Sequence, residues 1–152
     1  MMMHVSAFRE LYGGFGFVWS NVYRVELKDE LDCYNAKCYR SDGSVLSVFS
    51  FILHDSKYVL HGIYTQYNLR GLPQTIKHYK HGKLHNEEGP AHYYWSSDGA
   101  VIFKAYYINE KLHREDGPAR HIHYTRSNLT TKSWFQHGKH FIPEFTKKAL
   151  NC

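Results

Sequence analysis

The sequence predicts an all-β protein in which tandem β-hairpin repeats form one elongated, twisted antiparallel meander sheet. Three observations favour this fold class. The 152 residues include 13 Tyr and 9 Phe, a composition that favours strands over helices. Turn signals containing Gly recur along the chain at short intervals. One segment also repeats at a nearly constant spacing, which is typical of repeat architectures.

The repeat is clearest between residues 79–91, YKHGKLHNEEGPA, and residues 107–119, YINEKLHREDGPA. Identical Lys-Leu-His and Gly-Pro-Ala triplets lie 28 residues apart in these two segments. Turn signals at 43, 71, 99 and 128, and doublets at 54–55, 81–82, 109–110 and 137–138, keep nearly the same period. In the first unit, Gly62 aligns with Gly89. About four units therefore cover residues 23–145, after an N-terminal strand or hairpin cap at 1–22 and before a tail at 146–152.

Each unit is predicted to contain an outgoing strand, a tight turn and a return strand. Residues 15–19 are an aromatic run that predicts a first strand after a turn at 13–16. The outgoing strands are rich in β-branched and aromatic residues and lie at 45–53, 72–80, 101–108 and 129–136. Glycine supplies positive φ for hairpin turns at His81-Gly82, Asp98-Gly99 and His137-Gly138.

The return strands are predicted to break at a repeated Gly-Pro dipeptide, because proline cannot donate a hydrogen bond to a central ladder. These dipeptides are Gly89-Pro90 and Gly117-Pro118, and we expect both glycines to hold positive φ. A strand resumes over residues 91–95. Good helix formers over residues 143–150 predict one short C-terminal helix.

Charge and cysteine content limit the function classes. Lys and Arg number 19 against 14 Asp and Glu, and the resulting net charge of +5 does not by itself indicate nucleic-acid binding. Cys33, Cys38 and Cys152 are too few for a disulfide scaffold and favour a reducing, intracellular compartment. The sequence contains no run near the ~20 apolar residues of a membrane span, and its N-terminus lacks the order of a secretory signal.

Metal binding and catalysis are both disfavoured by the repeat. His121 and His123 lie on one face of a predicted strand, but equivalent residues in adjacent units are ~10 Å away, too far to share one zinc ion. The acidic pairs at 87–88 and 115–116 recur with the fold and do not converge on a pocket, so they predict solvated loops that pair with Lys83 or Lys111. We therefore expect no metal, no cofactor and no enzymatic activity.

The pattern GKLHxExGPA, flanked by aromatic strands, resembles the MORN-type repeats. The closest resemblance is to the divergent variant found in tandem in proteins of bacteriophages and large DNA viruses. It covers about three quarters of the chain and is strongest around residues 83–85 and 111–113. The resemblance implies successive β-hairpins in one long sheet. It also implies a non-catalytic role in protein–protein contact, dimerisation or membrane association, in a virus- or phage-encoded protein of the host cytoplasm or the virion.

Both faces of the predicted sheet carry aromatic residues, so either the sheet curls on itself or a partner covers one face. We expect a protein partner or a second copy, bound through Tyr93, Trp95, Tyr107, His121 and His123. The alternative is a nucleic acid, with its bases stacked on these aromatic residues and its phosphates held by nearby Lys and Arg. The acidic pairs interrupt the basic surface and favour the protein partner.

Overall fold

The computed structural model describes residues 1–12, 21–30 and 33–144. These residues form an antiparallel meander in which most strands pair with their neighbours in the chain. The predicted all-β hairpin architecture is confirmed. The elements are β1 (Met2–His4), α1 (Val5–Tyr12), β2 (Arg24–Glu30), β3 (Cys33–Tyr39), β4 (Val45–His54), β5 (Lys57–Tyr67), β6 (Pro73–Lys80), β7 (Lys83–Leu84), β8 (His92–Trp95), β9 (Val101–Ala105), β10 (Tyr107–Ile108), β11 (Lys111–Leu112), β12 (Arg120–Tyr124), β13 (Leu129–Gln136) and β14 (Lys139–Phe141).

One sheet has the strand order β1-β2-β3-β4-β5-β6-β8-β9-β12-β13-β14, with β7 paired to β6, and β10 and β11 form a separate ribbon. The hairpin turns predicted at 81–82, 98–99 and 137–138 are present. The strand predicted over 101–108 is divided at Tyr106 into β9 and β10. The turn predicted at 13–16 and the strand at 15–19 lie outside the described residues, as does the C-terminal helix beyond residue 144.

Tight two-residue turns follow one another at one end of the strands. Both central residues of each turn have positive φ, which defines the type I′ turn favoured by the twist of antiparallel strands. In the first unit the turn residues are Asp55 and Ser56, so the doublet predicted at 54–55 is displaced by one residue. The four turns are Asp55-Ser56, His81-Gly82, Asn109-Glu110 and His137-Gly138.

A second kind of turn recurs at the opposite end of the strands. In three units a glycine with positive φ donates its N–H to the carbonyl three residues earlier, at 3.0 to 3.1 Å. This geometry is that of a type I turn followed by a bulge residue in the left-handed region. The glycines are Gly43, Gly71 and Gly99, and Asn128 has positive φ at the corresponding point of the fourth unit.

Backbone hydrogen bonds join three of the four two-residue turns to the return strand of the preceding unit. The second turn residue donates its N–H to a leucine carbonyl, from Gly82 to Leu60 at 2.7 Å and from Glu110 to Leu84 at 2.8 Å. Gly138 donates to Leu112 at 2.8 Å. These three leucines are therefore structurally equivalent.

This equivalence corrects the alignment of the first unit. Leu60 lies 24 residues before its equivalent, Leu84. Tyr64 and His92 pair with Lys77 from its two sides and are also equivalent, but they lie 28 residues apart. Four residues are therefore missing from the first unit between these points. Gly62 is not the counterpart of Gly89; it lies in a continuous β5, with φ of +89°, opposite a register shift in β4.

The return strands of the two middle units break at Gly-Pro, as predicted. β7 ends at Leu84 before β8 begins at His92, and β11 and β12 are separated in the same way. The expectation of positive φ at Gly89 and Gly117 is wrong, because neither glycine lies in the left-handed region. The residue after each proline, Ala91 or Ala119, is fully buried, and its carbonyl accepts the N–H of His78 or Tyr106, respectively, at 2.8 Å.

The hydrophobic core lies under α1, which the sequence did not predict within the segment assigned to a strand or hairpin cap. β1 does pair with β2, but residues 5–12 form a helix over one face of β2 to β5. Phe8 is fully buried, with its ring 5.9 Å from that of Phe51. The ring centres of Tyr12 and Tyr58 lie 4.9 Å apart. The chain thus covers part of one face with its own helix.

We expect Ser56→Gly to raise the free energy of unfolding by about 1 kcal/mol, because Ser56 holds φ of +61° where two of the equivalent turns have glycine. Chemical denaturation would measure the change. Ser56→Ala retains the Cβ atom and is the matched control. A gain shared by both variants would contradict the explanation from backbone conformation.

We expect Gly82→Ala to destabilise the fold by about 1 kcal/mol or more and Gly89→Ala by less than about 0.5 kcal/mol. Gly82 has φ of +79°, and a Cβ atom there would lie 3.4 Å from Val59 Cβ. At Gly89 the added atom would lie 3.6 Å from Asn86 Nδ2, without positive φ. Equal losses in the two variants, measured by denaturation, would contradict this distinction.

Candidate interaction surface

Strand pairing assigns the side chains of the sheet to two faces. Residues directly opposite each other on paired strands point to the same face. The core face, which α1 covers over β2 to β5, continues across the sheet in two rows. One row contains Ala36, Phe49, Tyr64, Lys77, His92, Ala105 and Arg120; the other contains Cys38, Ser47, Gln66, Thr75, Tyr94, Phe103 and Ile122.

From β6 onward, the core face lies beyond the cluster packed around α1, although Ala105 in its first row is fully buried and Thr75 in its second row nearly so. Phe49 and Phe51 are almost fully buried under the helix, whereas Phe103 and Ile122 are only half-buried and Tyr94 is 36% exposed. A groove of about 480 Å³ lies on this uncovered part. Its lining residues are Tyr64, Gln66, Thr75, Lys77, His92, Tyr94 and Phe103.

Two basic side chains in the groove are held partly out of water. Burial lowers the pKa of Lys77, an effect that Glu110 partly opposes. Burial also lowers the pKa of His92 to about 4, with a further contribution from Lys77. Within the described chain, no carboxylate lies within ion-pair distance of Lys77.

Arg120 lies in the same row as Lys77, on β12. Its Nη2 atom donates one long hydrogen bond of 3.4 Å to Ser133 Oγ, and its Cζ lies 5.4 Å from the centre of the Phe135 ring. Its Nε atom is buried and has no hydrogen-bond partner in the described part of the structure. The guanidinium group also forms no ion pair with any described carboxylate, so it retains unused capacity for an anionic partner.

Four of the five predicted binding residues come together on the opposite, outer face. Tyr93, Lys104, His121 and Lys132 lie directly opposite one another in one row. The rings of Tyr93 and Trp95 stack at 5.3 Å. His123 lies two residues beyond His121 on the same strand. The outer face therefore combines stacked aromatic rings with two lysines.

Tyr107 is separated from the other four predicted residues. It pairs with Leu112 in the β10–β11 ribbon. Burial raises the pKa of its hydroxyl group; Arg120, which belongs to the core face, lowers it, and Glu110 raises it. Tyr107 thus lies near the cation on the face opposite to His121.

The two histidines of the outer face are engaged differently. Burial and the adjacent Lys104 and Lys132 lower the pKa of His121, and its Nε2 atom is buried without a hydrogen-bond partner in the described residues. His123 Nδ1 lies 3.0 Å from Thr130 Oγ1. In the described ranges, no three His, Cys, Asp or Glu residues are positioned to hold a metal ion together.

A repeated histidine contact at the two-residue turns was not identified from the sequence. The Nδ1 atoms of His61, His85 and His113 accept the N–H of the first turn residue in the next unit, at 3.2 to 3.3 Å. Turn and strand histidines also stack, with 4.4 Å between the rings of His54 and His81. The recurrence of His after Lys-Leu was the signal for this contact.

The acidic pairs form local contacts within the Gly-Pro loops. Glu87 Oε1 lies 3.0 Å from His85 Nε2 and 3.9 Å from Lys80 Nζ. In the next unit, Glu115 approaches His113 at 3.8 Å, and Asp116 accepts a 2.7 Å hydrogen bond from Arg114 Nε. The expected ion pairs with Lys83 and Lys111 do not occur. These carboxylates instead orient the side chains that join neighbouring units.

Burial raises the pKa of the Cys38 thiol to about 11, so this cysteine remains protonated and is a core residue. Cys33 is half-buried and free. None of the described helical segments has both the length and the apolar character needed to cross a membrane.

Comparison of the chain with models of known protein families, with curated proteins and with solved structures finds no match. The proposed function therefore depends on the geometry of the sheet and on the resemblance of the repeat pattern.

Acidification from pH 7 to pH 4 is expected to lower the free energy of unfolding. The pKa of His92 is about 4 in the folded protein, below its ordinary value of 6.5, so the unfolded chain takes up the proton first. Stability is therefore lost as pH falls from about 6.5 toward 4, by on the order of 1 to 2 kcal/mol after allowance for solvent screening. The lowered pKa values of His61, His78 and His121 act in the same direction.

His92→Gln should reduce this pH dependence when denaturation is measured across the same range. His140→Gln, at an exposed position on β14, controls for the loss of one imidazole. An unchanged slope in His92→Gln would contradict the role assigned to this histidine.

Proposed function

We propose that the protein is a non-catalytic repeat scaffold that binds another protein, or a second copy of itself, through its sheet. The observation that carries this proposal is the uncovered continuation of the core face from β6 onward. Its rows begin under α1 among buried aromatic rings and extend beyond the helix to the half-buried Phe103 and Ile122. A binding partner would cover the exposed half as α1 covers the other.

The exposed half has the composition of a protein-binding surface. Tyr94, Phe103 and Ile122 lie side by side in one row of the core face, next to the groove. Aromatic and aliphatic side chains with few charges are typical of the centre of an interface. Their partial burial leaves apolar area that a partner would remove from water.

A structural role for the recurring polar residues supports a scaffold over an enzyme. The repeated histidines contact the turn of the next unit, and the repeated carboxylates contact those histidines or Arg114. Both sets therefore have a function in holding the units together. The resemblance to MORN-type repeats of phages and large DNA viruses extends the proposal to a virus-encoded protein, in the host cell or in the virion.

A second candidate function, nucleic-acid binding, is favoured by the outer face. The stacked Tyr93 and Trp95 rings lie beside Lys104, and Lys132 follows two strands further on. Stacked bases and nearby phosphates suit such a surface. Four of the five residues from which the sequence analysis predicted a protein contact therefore belong to the face of this second candidate. The two candidate functions use opposite faces of the same sheet, which makes them separable by substitution.

We expect sedimentation to detect self-association, or a protein complex, whose affinity falls much less with salt than that of a nucleic-acid complex, because apolar side chains form most of the proposed contact. Phe103→Ser and Ile122→Ser should weaken it, whereas Trp95→Ser on the outer face should not. Titration with generic DNA and RNA at low and high salt tests the alternative, since phosphate contacts make affinity fall steeply as salt rises. Strong, salt-sensitive nucleic-acid binding by a monomer, abolished by Trp95→Ser, would overturn the first proposal in favour of the second.

A further inference from the structure

We propose that the occupant of the uncovered core face is an acidic segment of a partner protein that also carries aromatic or aliphatic side chains. This inference rests on the proposed function and deepens it, because it assigns the partner's chemistry. The juxtaposition that carries it is a pair of cations without carboxylates, Lys77 and Arg120, beside an apolar row.

The positions of the two cations define what the partner must supply. Both are half-buried and lie in one row, separated by His92 and Ala105, so three strand spacings place them ~14 Å apart. Across β6 to β13, the described core-face residues include no Asp or Glu. The nearby carboxylate is that of Glu110, which lies in a two-residue turn and accepts a hydrogen bond from the Leu84 N–H at 3.0 Å.

Removing a cation from water without an anionic partner is unfavourable. Lys77 already shows this cost in its lowered pKa, and Arg120 retains a buried Nε atom without a hydrogen bond. A partner carboxylate at each cation would recover the lost interaction, and guanidinium groups bind carboxylates with especially good geometry. The neighbouring row of Tyr94, Phe103 and Ile122 requires apolar side chains between and beside these carboxylates.

A second copy docked on the same face does not provide this chemistry. In a two-fold symmetric contact the same patch meets itself, so Lys77 and Arg120 from both copies would share an interface with no core-face carboxylate. Like charges in such a partly buried contact repel. The charge pattern thus favours a different protein over a symmetric dimer.

A nucleic acid also suits this face less well than an acidic peptide. Phosphates follow one another closely along a strand and are held by several exposed cations. The core face offers two half-buried cations ~14 Å apart beside an apolar row. The outer face, with Tyr93, Trp95, Lys104 and Lys132, is the better surface for a nucleic acid.

The test measures binding of a synthetic peptide of about 12 residues with the repeat Glu-Ser-Phe-Ser, which in extended form carries Glu and Phe alternately on one face and places successive Glu residues ~14 Å apart. A peptide with Gln in place of each Glu tests the role of charge, and oligothymidylate of similar length tests nucleic acid. The binding protein is the full chain, as wild type and as two double variants. Lys77→Gln with Arg120→Gln removes the core-face cations; Lys104→Gln with Lys132→Gln removes the same charge from the outer face.

We expect the Glu-Phe peptide to bind the wild type and to lose at least about tenfold in affinity with the core-face variant. The outer-face variant should remain within about twofold, and the Gln-Phe peptide should bind at least about tenfold more weakly than its acidic counterpart. Circular dichroism and thermal melting would verify that both variants fold. Equal losses in the two variants, equal binding of both peptides, or no binding of the acidic peptide would overturn the inference.

Methyl NMR on the wild-type protein provides a test that does not depend on folding of a variant. Ile122 lies on the core face and Ile76 on the outer face. The acidic peptide should shift the Ile122 methyl signals and leave those of Ile76 in place; the reverse would overturn the assigned face. Salt-insensitive self-association in sedimentation would then still support the proposed function, so failure of the two proposals is distinguishable.

Discussion

The architecture depends on one repeated backbone hydrogen bond, which each of the last three two-residue turns donates to a leucine carbonyl of the unit before it. This bond fixes how far successive hairpins are displaced, because the turn cannot move along the sheet without losing it. It also brings the first turn residue within reach of the histidine that follows the leucine, at 3.2 to 3.3 Å. The identity of the histidine in the repeat therefore follows from the contact between units, to which the leucine contributes only its backbone carbonyl.

The rest of the GKLHxExGPA pattern has a separate physical reason at each position. When the histidine Nδ1 atom accepts the turn N–H, its Nε2 atom carries the proton and faces the glutamate two residues later. The proline lies in the break between two strand segments, and the alanine after it is fully buried. The sheet is thus organised by polar contacts at the end of the strands that carries the two-residue turns, whereas large buried apolar side chains are concentrated under α1.

The sequence predicted the fold class because turn residues and aromatic strands are local signals that recur. It did not predict α1, since Phe8 and Tyr12 gain their stabilisation from strands distant in sequence. The assignment of positive φ to Gly89 and Gly117 was wrong; a Cβ atom at Gly117 would lie 3.2 Å from Arg114 Cζ, so loop packing favours glycine there. The row joining Lys77 to Arg120 depends on the register of four strands, and one altered pairing would place these residues on opposite faces. By contrast, Tyr93 with Trp95, and His121 with His123, each lie two residues apart on one strand, so alternation within the strand is enough to place each pair on one face.

The connection of each unit only to its neighbours gives this sheet a rule for changing length. A segment of one period, such as residues 79–106, begins and ends at equivalent points of the pattern. Gene duplication of such a segment would add two strands, or ~10 Å, while giving the added two-residue turn a leucine carbonyl to receive its hydrogen bond. The distance between the helix-covered end of the sheet and β14 can thus change in evolution by whole repeat units, without a change in the sequence of either end.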